Sequence, residues 1–274
     1  MANTQVLRLI RAVDAADSPA ELVKAVEDLA ATGAEAAIPT LIAVLSYSNP
    51  RAARAAVDGL IKLDITAVPF LLEHIQEGSS YSARAWAIEA LSGIGDPQGL
   101  ETLLRATTQD FSMSVRRAAA RGLGKLRWQM MASEQVLSGQ SKVIETLFQA
   151  VQDSEWIVRY AAVVGLQGFA AAVFISCPSW VISIEMRLAQ TAGSDDSLAV
   201  QARALLAQQQ IQPSLEGVEL KMADSGTSAA EHWQLILERL YSRKAQERSQ
   251  GEGSPEKFRA VAAAIQDRLG EQTR

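Results

Sequence analysis

The chain has 274 residues, 48% hydrophobic and 21% charged, with 26 Lys and Arg against 31 Asp and Glu for a formal net charge of −5. This is a globular and not a disordered composition; its acidic balance argues against a nucleic-acid partner, and one cysteine with two histidines excludes an internal disulfide and a Cys- or His-built metal centre. Aromatic residues are only 5%, so the core is built from small and aliphatic side chains, which suit closely packed helices better than strands.

From the N-terminus, Met1 to Arg11 contains no apolar run of signal-peptide length, and the expected location is cytoplasmic. Residues 4–31 read as a degenerate helical unit. Beyond them two patterns alternate. Ile38–Leu45, Val68–Ile75, Leu100–Thr107 and Ile144–Val151 share one pattern and recur at intervals of 30, 32 and 44 residues. Each is followed by a second: Ala53 to Gly59-Leu60, Arg84 to Ala90-Leu91, Arg116 to Gly122-Leu123 and Arg159 to Gly165-Leu166, with leucines 31, 32 and 43 residues apart. Apolar residues at i, i+3, i+4 and i+7, as in Val115, Ala118, Ala119 and Leu123, make each pattern a helix. Pro39 and Pro69 stand one residue into their segments, where a helix tolerates a missing N–H. Asn49-Pro50, Gly78-Ser79-Ser80 and Gly95-Asp96-Pro97 supply turns, and Ser138–Lys142, in the longer third interval, reads as a loop.

Further along, the apolar stretch Phe169–Ile184 is interrupted by Ser176, Pro178, Ser179 and Ser183, short of the ~20 apolar residues of a membrane span, and reads as a buried helix pair. Residues 180–209 form a last degenerate unit. The prediction is an all-α protein: a HEAT-like or armadillo-like α-solenoid of about five to six helical repeats over residues 1–212. A linker over 213–228 and a C-terminal helical extension over 229–274 follow, Ser254-Pro255 starting the last helix. No Ser-His-Asp set, phosphate loop or metal-ligand spacing is present, so the expectation is no metal.

The middle repeats are more specific than the fold. Tyr81-Ser-Ala-Arg-Ala-Trp86 running on to Gly95-Asp96-Pro97, then Val115-Arg-Arg-Ala-Ala-Ala-Arg-Gly-Leu-Gly-Lys-Leu-Arg-Trp128, then Glu155-Trp-Ile-Val-Arg-Tyr160, closely resemble the E/F family of phycobilin lyases, on its F-subunit (beta) side. The likeness spans about Asp17 to Gln210. Generic HEAT repeats share the Val-Arg-x-Ala-Ala core and the Gly-Asp-Pro turn, but not commonly these arginines and tryptophans together. The resemblance implies a lyase subunit active as a heterodimer with an E-type partner. Its client would be the apo-phycocyanin alpha subunit, and phycocyanobilin its substrate, with no cofactor held permanently. In that family a client cysteine thiol adds to the ring-A ethylidene and forms a thioether, so the chain's own Cys177 is not required as nucleophile and reads as a buried thiol. Two alternatives stay open: a non-catalytic member that binds bilin or phycobiliprotein in phycobilisome assembly or degradation, and an ordinary HEAT adaptor.

A bilin offers two propionates, a conjugated chain and pyrrole nitrogens. Guanidinium groups suit the first, aromatic rings the second and a carboxylate the third. On this reasoning the candidate bilin-binding residues are Tyr81, Arg84, Trp86, Arg117, Arg121, Trp128, Trp156, Arg159 and Tyr160, the second helices forming the ligand-facing wall; no catalytic residue is assigned. Structural readings stand beside these. Arg116 and Arg159 each follow an aspartate by six residues, Asp110 and Asp153, as a ladder between turns would require. Arg117 and Arg121 are i, i+4 on one face, mildly destabilising as a like-charged pair, and lie outside that ladder. Trp86 fills a slot held by Ala118 and Ala161 in later repeats, which means irregular core packing in preference to a pocket wall. Tyr81 and Tyr160 read as surface-facing, and His74 as a helix-end or surface residue.

Overall fold

A computed structural model describes residues 2–76 and 80–215, which fall within one compact unit, Met1–Met222. The described residues form α-helices joined by turns and short 3-10 segments, with no strand: α1 (Ala2–Asp14), α2 (Pro19–Ala31), α3 (Ile38–Val44), α4 (Pro50–Lys62), α5 (Val68–Gln76), α6 (Tyr81–Ile94), α7 (Leu100–Gln109), α8 (Met113–Leu123), α9 (Ser133–Ala150), α10 (Trp156–Val173), α11 (Pro178–Ser194) and α12 (Leu198–Leu215). Taken in pairs these are six helical hairpins, and each even-numbered helix packs on the next. The predicted α-solenoid is thereby observed. α12 takes in the first residues of the expected linker; the rest of 213–228 and the helices expected over 229–274 lie outside the described residues.

Local chemistry starts the helices where the sequence indicates. Ser18, Asn49 and Ser80 cap α2, α4 and α6, their side-chain oxygens accepting from Glu21 N (3.2 Å), Ala52 N (3.2 Å) and Ala83 N (3.3 Å). Gly95 ends α6 at φ 71°, in the left-handed region, and a Cβ there would stand 2.5 Å from the Lys125 carbonyl oxygen. Leu60, Leu91, Leu123 and Leu166, the repeating leucines, are fully buried, each contributing about 1.5–3 kcal/mol. The small residues beside them let the second helices touch backbone to backbone: a Cβ on Gly165 would lie 2.3 Å from Ala120 O, and one on Gly124 2.3 Å from Gly165 O.

Three local expectations are corrected. Ser138–Lys142 is helix, inside α9, because Gly139 and Gln140 are buried and a Cβ on Gly139 would meet the Trp128 ring at 3.1 Å; its glycine is there for packing and not for a turn. The longer third interval is taken up by the 3-10 turn Trp128–Met130 and the length of α9. Cys177 is half-buried in the turn before α11, not in the core. His74 stands in the last turn of α5, the helix end expected, but it is half-buried there, its Nε2 buried with no partner among the described residues. The apolar stretch does form a helix pair with Phe169, Val173, Val181 and Ile184 in the core. Among the described residues one helix, Trp156–Val173, has the length and apolarity of a membrane span, but half of it is packed inside the array and Arg159 lies within it.

Candidate functional site

The predicted ladder exists, and it consumes two of the candidate arginines. Each member joins one repeat to the next. Arg84 Nε and Nη2 donate to Asp110 (2.7 and 3.1 Å), Arg116 Nε and Nη2 to Asp153 (2.7 and 3.0 Å), and Arg159 Nε and Nη2 to Asp195 (2.8 and 2.9 Å). The aspartate six residues upstream supplies its backbone instead of its carboxylate: Arg116 Nη1 donates to Asp110 O and Phe111 O, and Arg159 Nη1 to Asp153 O and Ser154 O. With a further bond to Asp196, every N–H of Arg159 is engaged at 9% exposure. Arg84 and Arg159 are therefore structural ties in this geometry, not open guanidinium forks.

The aromatic candidates separate as well. Trp128 is 8% exposed and packs edge-on against Phe169 at 6.1 Å, a core ring held between α8 and α9. Tyr81 and Trp156 are exposed, but each is the first residue of its helix and lies on the edge carrying the ladder. Tyr160 is exposed at the slot that Arg117 fills one repeat earlier, close enough to Arg203 to interact with it electrostatically.

What the fold brings together is Trp86, Arg117 and Arg121, joined by three residues that the sequence reading did not select: Arg54, Glu89 and Lys125. Trp86 is half-buried and not a core ring; the Arg54 guanidinium lies 5.1 Å from its ring centre. Arg54 Nη1 also donates to Glu89 Oε1 at 2.9 Å. Arg54 is shared by two adjoining clefts. One, of about 660 Å³, runs between α2 and α4 to Trp86 and also takes in Arg51, Lys62, Glu27 and Asp58. The other, of about 160 Å³, lies over α6 and α8 and is lined by Glu89, Arg117, Arg121 and Lys125, with Ile61 and Gly93. The larger is within the range of ligand clefts, about 300–1,000 Å³. The repeat register was the signal for the missed residues: Arg54 stands where Arg117 does two repeats later, and Glu89 where Arg121 does in the next.

The electrostatics single out one end of this surface. Among the described residues, Arg117, Arg121 and Lys125 make no ion pair. Desolvation, with repulsion from Arg121, holds the Lys125 ammonium below its ordinary range against the pull of Glu89. Three cations without an ion pair, in the cleft adjoining the one that Trp86 lines, suit a ligand with carboxylate groups and a conjugated body. No cluster of metal-ligating side chains occurs among the described residues.

Comparison with known proteins carries the assignment further. Residues 6–92 and 68–167 match the family model for HEAT repeats. The chain is 46% identical over 272 residues to phycocyanobilin lyase subunit beta of Pseudanabaena tenuis, covering 94% of this chain and 96% of the relative. It is 51% identical over 166 residues to phycocyanin alpha phycocyanobilin lyase CpcF of Synechocystis sp., covering 61% of this chain and 77% of the relative. Among solved structures, the complex of CpcE and CpcF of phycocyanin lyase from Nostoc sp. contains a chain 46% identical, with 63% of this chain and 98% of that chain covered at a TM-score of 0.57. On these similarities, the chain belongs to the family of phycocyanobilin lyase beta subunits, built on HEAT repeats.

Proposed function

We propose that this chain is the beta-type subunit of a heterodimeric bilin lyase which, with an E-type partner, attaches phycocyanobilin through a thioether to a cysteine of the phycocyanin alpha subunit, in the cytoplasm. The observation that carries the reading is the surface of Trp86, Arg54, Arg117, Arg121 and Lys125, in a chain whose relatives are named as phycocyanobilin lyase subunits. An E-type partner is supported by the Nostoc relative, solved as a complex of CpcE and CpcF.

In this reading Arg117 and Arg121 take the two propionates of the bilin, as planar forks suited to carboxylates, with Lys125 as a third cation. Trp86 offers its ring to the conjugated chain. Gly93 and Ile61 are apolar parts of the lining of the same cleft as these cations. The client brings the thiol, so this chain's work is to bind and orient the tetrapyrrole and leave ring A open to attack.

The test is co-expression with the E-type partner, the apo-phycocyanin alpha subunit and a phycocyanobilin source, reading covalent colour on the denatured client. Colour that requires this chain supports the proposal; colour that persists without it overturns it. Bilin binding without transfer would instead favour the non-catalytic role in phycobilisome assembly or degradation. Arg117→Ala with Arg121→Ala is expected to lower transfer with helicity and melting little changed, since neither side chain makes an ion pair among the described residues; lost helicity would assign both to the scaffold.

A further inference from the structure

The smaller cleft contains one carboxylate among its cations. Glu89 extends from α6 with its side chain 18% exposed, and Arg54, which holds it from α4, is 49% exposed. Its Oε2 accepts no hydrogen bond among the described residues. Facing it are Arg54 from α4, Arg117 and Arg121 from α8, and Lys125 just beyond α8. An ion pair exposed on one side contributes only about 0–1 kcal/mol, so an incoming propionate can take Arg54 or its neighbours and release Glu89 at little cost. A carboxylate beside cations that hold a bilin's propionates is then next to the inner pyrrole rings that bear those propionates.

Resting on the bilin-binding reading above, we propose that Glu89 is the catalytic carboxylate of this surface: it accepts from the bilin's pyrrole N–H groups and keeps the tetrapyrrole protonated. A protonated conjugated system draws electron density from the ring-A ethylidene. The electron pair of the client's thiolate then forms the S–C bond, the ethylidene π bond breaks, and its electrons pass to the ring carbon, which takes up a proton. Overall the S–H of the client cysteine is added across one C=C bond, and nothing is oxidised or reduced.

The test uses the full heterodimer with phycocyanobilin and no client, reading the visible spectrum of the bound pigment, followed by transfer on addition of apo-phycocyanin alpha. In Glu89→Gln the long-wavelength band of the protonated bilin is lost and transfer slows at least roughly tenfold, while bilin affinity changes less than roughly threefold; Glu89→Asp restores part of the band. Arg54→Ala breaks the same ion pair and weakens bilin binding, because Arg54 belongs to the binding surface, but it leaves the carboxylate, so the pigment that does bind keeps the band. If Arg54→Ala and Glu89→Gln instead behave alike, the pair is only a tie between helices and the proposal falls. If Glu89→Gln keeps a normal spectrum and rate while Arg117→Ala with Arg121→Ala loses bilin, Glu89 is excluded and the binding surface stands. If none of these variants alters bilin binding or colour, the surface itself is wrong.

Discussion

Arg116→Ala tests the ladder as the element that locks repeat to repeat. The substitution removes two bonds to the Asp153 carboxylate and two to the Asp110 and Phe111 carbonyls. It leaves a carboxylate that is 13% exposed with, among the described residues, only the Glu155 N–H to satisfy it. Breaking a buried pair by removing one partner costs about 3–5 kcal/mol, and the residual access to water at both groups brings the expectation to about 3 kcal/mol. For a unit of this size that is a fall of about 6–12 °C in Tm. Asp153→Asn costs less, because an amide oxygen still accepts from one donor. The double-mutant cycle followed by thermal melting should return a coupling of about 1–3 kcal/mol. A loss under about 0.5 kcal/mol for Arg116→Ala, or strict additivity in the cycle, refutes the reasoning, since rim-exposed pairs behave that way. Bilin affinity of the cold, folded variant should stay within roughly twofold of the parent, because Arg116 lines neither cleft.

Burial pushes the Asp153 and Asp195 carboxyls up, but bonds from Arg116 and Arg159 and from the N–H groups of Glu155 and Ser197 outweigh it and hold both below the usual carboxylate range. The folded value lies below the unfolded one, so their stabilisation is full above about pH 4 and is lost as the pH falls further; the acid limb of a melting-against-pH series should become shallower in Asp153→Asn. Gly165→Ala should lower Tm through overpacking of about 1–3 kcal/mol, as a Cβ 2.3 Å from Ala120 O and 2.9 Å from Leu147 Cδ2 drives α8 and α10 apart; unchanged melting would show that the helices move at no cost. Trp128→Ala should cost about 3–5 kcal/mol of stability without a selective loss of bilin affinity in the folded fraction. Trp86→Ala should do the reverse, with melting nearly unchanged and bilin binding weakened in an absorbance titration.

The repeat architecture was legible because helix period and repeat period are both written in small and apolar residues: the leucines of the second pattern and the alanines beside them all fall in the core. The site was only partly legible. The six-residue spacing from an aspartate marked Arg159 as a ladder residue and left Arg117 and Arg121 outside the ladder, but Arg84 follows no aspartate by six residues, and which arginine meets an aspartate of the next repeat was not readable from spacing. That choice depends on the rotation of each helix against its neighbour. The same holds for the tryptophans: Trp128 closes the gap over Gly139 and is lost to the core, whereas Trp86 lies beneath Arg54 and remains half open. Local propensity and periodicity determine which segments become helices and how they stack. The juxtaposition of Arg54, Glu89, Arg117, Arg121 and Lys125 spans three second helices, and only the stacking of those helices could bring them together, because each contributes just one or two side chains to the shared surface.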